Sequence, residues 1–371
     1  MILKAKEFQS ACKSILGAVD TTTHSMINES LELKVEGKVL HLFVTNKEYF
    51  VDVKLDVQSE NDFVATVDAK LFLSLIDKIT TDELEITTKD NSLIIKGNGS
   101  YKLPMFYNDD KLLELTPITI DNPTTDFIMS SDILLSIFTH NSNTLLTGVA
   151  TKPVHNMYYL DEQGCITYRA GACVNTFTLP QPVKALLGTK LVKLFRLFTK
   201  GTDVHFTLGY DEVNGVTQEK VKFVSDNVEI TSILNSDESL LVSVPVSAIR
   251  GRANNSYPYS INISKDALIQ AIDRLLLFAS STNGTAKDDA TFEFSNDTLT
   301  IFAMDNENRE FIPYNNTTID GTYKTMYNIV ELKTVLDGCK EQYITLHFGD
   351  EKALVVSRGT IKSVLPEVHL V

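Results

Sequence analysis

A chain of 371 residues, with 43% hydrophobic and 22% charged side chains, has enough apolar material for two or three ordinary globular domains. Its apolar runs fall far short of the ~20 residues that span a bilayer, and the charges scattered through MILKAKEFQSACKSIL argue against a targeting leader. A net charge of −14 argues against a nucleic-acid partner unless the basic residues are gathered in one place.

In chain order, MILKAKEFQSACKSILGAV reads as a short strand before an amphipathic helix, followed by paired strands at 31–45. Residues 68–106 repeat the plan with a helix, a polar turn and three alternating strands. After a break at Asp121-Asn-Pro, FIMSSDILLSIFTHNSN restarts it, and the strands of 157–170 turn at Gln-Gly. GTKLVKLFRLFTKG (188–201) is the next predicted helix, with strands to 234 and a hairpin lengthened by GYDEVNGVTQEK. A polar, Asn-rich stretch at Gly251–Ser256 marks a second break. INISKDALIQAIDRLLLFAS with 290–303, and then 328–368, complete six helix-plus-strand units. The units pair into three domains, 1–122, 123–250 and 251–371, each with two helices on antiparallel sheets in an α+β fold.

Charge is distributed unevenly over this plan. The six helical windows hold twelve basic and eight acidic side chains, so the helices are net positive in an acidic chain. Lys190, Lys193, Arg196 and Lys200 recur every three to four residues with no acid between them, and Leu191, Val192, Leu194, Phe195, Leu197 and Phe198 fill the other face. One such lysine is ordinarily a solvated helix former. Four on one face suit contact with phosphates, which needs cations and no base reading.

Enzyme motifs are missing. The seven histidines are isolated, and no GxSxG, phosphate-loop or strand-linked GxGxxG pattern occurs. Cys12, Cys165, Cys173 and Cys339 have no CxxC pairing and read as reduced thiols of a cytosolic protein. No catalytic residue, metal or cofactor is expected.

The order of all six units resembles the bacterial DNA polymerase III beta subunit, the sliding clamp, over essentially the whole chain at low identity. TVDAKLFLSLIDKI looks like the second helix of that family's first domain. NMYYLDEQGCITYRAGACV looks like its peptide-pocket strands, and SVLPEVHLV like its hydrophobic-Pro tail. The resemblance implies half of a six-domain ring, closed by two chains around duplex DNA. It implies a non-enzymatic processivity factor in the cytoplasm that binds double-stranded DNA of any sequence and takes peptides of a polymerase and a clamp loader.

The same resemblance distributes the site residues. Lys13, Lys70, Lys78, Lys190, Lys193, Arg196, Lys200, Lys265, Arg274, Lys333 and Lys340 supply the DNA channel, and Tyr158 and Tyr159, on the pocket strands, join that set. Met157, Leu160, Gly171, Val174, Val364, Leu365, Pro366 and Val368 wall the peptide pocket. Tyr101 and Leu103 of the last strand of domain 1 meet Leu277 and Phe278 of the other subunit, unless the latter two are intradomain core. Likewise, Val364 and Leu365 could simply finish the last strand. Gly171-Ala-Cys-Val174 and Glu367-Val368 depart from the family's usual residues, and the long middle loop adds to the picture of a divergent clamp, bacterial or viral. Two other readings stay open: an enzyme or ligand-binding protein of duplicated units with an interdomain site, and a structural repeat protein.

Overall fold

The computed structural model describes residues 1–20, 25–279, 288–303, 307–315, 319 and 321–368. Helices run over Ala5–Leu16 (α1), Ala69–Lys78 (α2), Ser131–Ser136 (α3), Ser142–Thr144 (α4) and Thr189–Leu194 (α5). They continue with Glu238–Ser243 (α6), Val246–Ala253 (α7), Lys265–Ala279 (α8) and Ile329–Asp337 (α9). Several strands switch directly into a helix, because the last strand residue caps it. Asp68 accepts from the Leu71 N–H and Asn328 from the Glu331 N–H, while the Ser130 and Ser264 hydroxyls accept from Asp132 and Ala267.

The chain forms two compact units, Met1–Leu135 with Lys190–Ser236, and Ser136–Thr189 with Asp237–Val371. In the first, a four-stranded sheet orders Ile2–Lys4, Glu83–Lys89, Ser92–Lys96 and Ser100–Pro104. An eight-stranded sheet joins the strands of 122–130 and 203–233 to those of 30–68 through Val228–Ile233 against Tyr49–Asp56, with Ile230 opposite Val51. In the second unit, a twelve-stranded sheet joins 157–188 to 259–365 through Ala172–Thr176 against Ile361–Leu365, with Ala172 opposite Val364. Both joins are antiparallel. The sequence predicts sheets domain by domain; instead, backbone pairing crosses both expected domain breaks, satisfying edge groups that would otherwise stand open.

Helices cover these sheets with the apolar faces that the periodicity marks. α1 buries Ala5, Phe8, Cys12 and Ile15 and meets α2 through an edge-on Phe8–Phe72 pair with ring centroids 6.0 Å apart. In the second unit α8 and α9 pack together over a core that includes Leu268, Ile272, Phe292, Leu332, Leu336 and Phe348. All four cysteines are buried free thiols, and burial raises their pKa, that of Cys339 to about 11.

Three elements differ from the sequence reading. The 188–201 helix stops early. α5 tightens into a 3₁₀ turn at Phe195–Leu197, and Phe198 turns extended so that it is buried alongside Phe195. The 131–141 helix widens into a π turn at Ile137–Asn141, which leaves Asn141 buried with its amide donating to the Cys165 carbonyl and accepting from Asn175. Finally, α6 and α7 occupy the stretch read as the end of a domain and a polar break.

The Gln-Gly turn is confirmed and constrained. Gly164 has φ +140°, and a Cβ there would lie 2.2 Å from the Asn175 carbonyl oxygen across the ladder. Gly164→Ala is therefore expected to cost about 2–4 kcal/mol in a urea titration, through strain and a backbone clash together.

Candidate functional site

The first candidate surface is the helical layer of unit 1. α1 packs on α2 and on the 3₁₀ turn at Phe195–Leu197. The six apolar residues of the 188–201 stripe are all buried, and Lys193, Arg196 and Lys200 are exposed, as the periodicity requires. Exposed Lys70 and Lys78 on α2 and Lys6 on α1 share this layer. None of these six cations has an ion-pair partner among the described residues. Lys6 is a position the site reading passed over, although its helix was marked.

Arg196 is placed by a glycine. Its guanidinium covers Gly17 at the C-terminal end of α1, so closely that a Cβ on Gly17 would fall 1.4 Å from Nη2. A cation at a helix C-terminus is stabilised by about 0.3–1 kcal/mol, so the stripe of one segment is fixed against the helix of another.

The other expected channel cations are engaged, which corrects the picture of an uncompensated stripe. Lys190 donates to Asp20 at 3.1 Å and to Glu48 at 3.0 Å. Partial burial works against its charge, but these bonds outweigh it and hold the ammonium above its ordinary pKa. Lys13 pairs with Asp77 at 2.9 Å, an exposed contact worth about 0–1 kcal/mol that a phosphate could replace. In unit 2, Arg274 makes two hydrogen bonds to Glu310 at 2.7 and 2.6 Å, Lys333 pairs with Asp273 at 2.7 Å, and Lys265 donates to the Cys339 carbonyl beyond α9. Of the cations expected in unit 2, only Lys340 is exposed and without an ion-pair partner among the described residues. Tyr158 and Tyr159 are not on a DNA face: they are 2% and 6% exposed, and the Tyr158 hydroxyl bonds to Ser142 inside the fold.

The second candidate surface is a cleft of about 260 Å³ in unit 2, lined by Tyr168–Ala172, by Pro245, Ala248, Ile249 and Arg252, and by Ala353, Val364 and Pro366. Three expected residues reach it: Gly171, Val364 and Pro366. Gly171 lets the strand ends approach, since a Cβ there would meet the Val364 carbonyl oxygen at 3.1 Å and the Leu365 side chain at 3.0 Å. Met157 and Val174 belong to the apolar cluster that carries the cleft but do not line it. Leu160 and Leu365 face away, because side chains alternate along a strand: Met157 and Tyr159 join this cluster, whereas Leu365 joins the 261–365 core. Val368 leaves the cleft, its N–H donating to the Met326 carbonyl, and residues 369–371 of the tail lie outside the described residues. The sequence reading missed the wall from α7. VSAIRGRA has no strong amphipathic period to announce it; only Pro245, opening α7 as its cap, was legible as a helix start.

Of the expected dimer residues, Leu277 and Phe278 are 71% and 43% exposed, so they are not intradomain core. Leu103 is 4% exposed and faces its own sheet, opposite Leu93, which rules it out as a dimer residue, while Tyr101 is half-buried. Phe311, 61% exposed on a strand that packs against α8, was missed.

The cations sort into two classes that stability separates. Lys190→Met leaves Asp20, 7% exposed, without its ammonium partner and is expected to cost about 1–3 kcal/mol. Lys193→Met should change stability by no more than about 0.5 kcal/mol. Urea midpoints at one salt concentration decide the comparison.

No family model matches the chain. Among curated proteins, the beta sliding clamps of Helicobacter pylori strains J99 / ATCC 700824 and ATCC 700392 / 26695 are 28% and 29% identical over 106 residues, which is 28% of this chain and 28% of each relative. The matched stretch thus spans little more than a quarter of those relatives. Solved structures match far more completely. The DNA polymerase III subunit beta of Borrelia burgdorferi aligns with TM-score 0.79 at 15% identity, covering 100% of this chain and 99% of that one. The beta subunit of Streptococcus pyogenes gives 0.79 at 13%, with the same coverage, and that of Pseudomonas aeruginosa 0.77 at 14%, covering 100% of both. From end to end, this chain has the fold of the DNA polymerase III beta subunit.

Proposed function

We propose that the protein is a DNA sliding clamp: a non-enzymatic, homodimeric ring that encircles duplex DNA in the cytoplasm and tethers a replicative polymerase. The observation that carries this reading is the full-length likeness in fold to polymerase III beta subunits. The three sequence repeats, 1–122, 123–250 and 251–371, serve as its domains.

The strand pairing supports closure by a second copy. In each unit, the last strand of one repeat pairs with the third strand after the first helix of the preceding repeat: 228–233 with 49–56, and 361–365 with 172–176. The corresponding strands left over are Ser100–Pro104, an edge of its sheet, and Arg309–Asn315. A chain cannot complete this series alone, but two chains can make it twice, in a closed two-fold assembly. Exposed Leu277, Phe278 and Phe311 then gain cover at that third junction.

Duplex DNA is held through phosphates by Lys6, Lys70, Lys78, Lys193, Arg196 and Lys200, with Lys13 released from its exposed pair. Arg274 and Lys333 contribute less because they are already neutralised. The apolar cleft under α7 takes a short peptide of the polymerase or clamp loader, whose affinity resides in a few anchors.

The assembly test combines mass and topology. Light scattering should give a dimer, and the loaded protein should stay on circular DNA and slip from linear DNA; a monomer, or equal retention on both, would refute the ring. Replacing Lys193, Arg196 and Lys200 with Ala should lower the slope of log affinity against log salt by about 0.9 for each phosphate that is no longer neutralised. The pair Arg274→Ala and Lys333→Ala should leave that slope nearly unchanged, and an equal drop in both variants would remove the assignment to unit 1.

A further inference from the structure

The cleft that the proposed function assigns to a peptide carries an unusual charge pattern for so acidic a chain. Two guanidinium groups line it, those of Arg169 and Arg252, and no acidic residue does. Arg169 directs its donors to uncharged oxygens only: the His155 carbonyl at 3.4 Å, the Gly148 carbonyl at 3.5 Å and the Asn156 side chain at 2.6 Å. These bonds fix the side chain without neutralising it. The exposed Arg252 side chain has neither hydrogen bond nor ion pair among the described residues. Its neighbour Arg250 shows the alternative, since that guanidinium gives two hydrogen bonds to Asp161, at 2.8 and 2.6 Å, and is neutralised within the fold.

We infer that the cleft selects peptides in which a carboxylate directly flanks the apolar anchor, the acid being read by Arg252 with Arg169 beside it. An apolar side chain enters between Ile249, Val364 and Pro366, and the carboxylate meets guanidinium groups whose water is already thinned by Pro245 and Ala353. Charge-assisted bonds of this kind are shorter and about twice as strong as neutral ones, and arginine matches a carboxylate in two-pronged geometry. The far side of Pro366 differs. The adjoining cavity is bordered by Glu351 and Glu367 as well as Arg252 and Lys352, with Glu367 accepting from the Thr325 hydroxyl. The acid therefore belongs on the Arg169 side, and a second acid running past Pro366 would meet like charge.

The inference rests on the peptide-cleft reading, and one binding series separates the two. The full-length protein is titrated, by fluorescence polarisation, with labelled hexapeptides that hold a Leu-Phe pair and carry Asp, Asn or Lys in turn at each remaining position, over a neutral background. At one position beside the pair, Asp should bind about tenfold more tightly than Asn, and Lys more weakly than Asn. Arg252→Gln should shrink the Asp advantage to about twofold or less, Arg252→Lys should restore part of it, and Arg252→Glu should turn the preference toward Lys. Equal binding of the Asp and Asn peptides at every position, or an Asp advantage that survives Arg252→Glu, overturns the charge inference and leaves the apolar cleft standing. If no peptide of the set binds, the peptide-cleft reading falls with it.

Discussion

Antiparallel pairing between strands from distant parts of the chain is the constraint from which the rest follows. An unpaired strand edge exposes a row of N–H and C=O groups, and buried backbone groups must find partners. Here the edge at Val228–Ile233 is satisfied by Tyr49–Asp56, and that at Ile361–Leu365 by Ala172–Thr176. Each join makes one compact unit out of segments that the sequence repeats assign to different domains. The middle repeat is consequently shared out, with Lys190–Ser236 in one unit and Ser136–Thr189 in the other.

Once those ladders are set, neighbouring helices interlock at their ends. Arg196 closes over Gly17 at the end of α1, and Asn143 donates to the Thr334 carbonyl and crowds Gly338 at the end of α9. Within the α1–α2 and α8–α9 pairs, Gln9 donates to the Ile76 and Ile79 carbonyls and Lys265 to that of Cys339. Carbonyls at the last turn of a helix lack intrahelical donors, so a side chain from the next element both satisfies them and sets the packing. The repeat is thus preserved in physical role while the residues differ: amide in one place, ammonium in another.

Electrostatics divides the same helices by task. A cation whose carboxylate partner is buried, such as Lys190 beside Asp20, is tied to the fold, because separating them leaves a charge in a poorly solvated site. A cation with no ion-pair partner among the described residues, such as Lys193, costs the fold little and remains available to an external anion. The difference lies in where acids from other segments arrive. It also applies in the cleft, where Asp161 neutralises Arg250 and no acid lining the cleft neutralises Arg252.

Periodicity in the sequence by itself determined the six units, the antiparallel α+β class, the Gln-Gly turn and the buried and exposed faces of the 188–201 stripe. These depend on local rules, namely alternation in strands, a 3.6-residue period in helices and turn chemistry. The resemblance across the order of units added the fold family, which the full-length structural likeness bears out. Tertiary structure alone decided which cations are free, since Asp20, Glu310 and Asp273 reach Lys190, Arg274 and Lys333 only by folding. It also decided the cleft: Leu160 and Leu365 turn away from it, and α7, with no amphipathic signal, supplies its wall. Local sequence fixes which side of an element is apolar, but what that side meets depends on long-range pairing, and no local period encodes that.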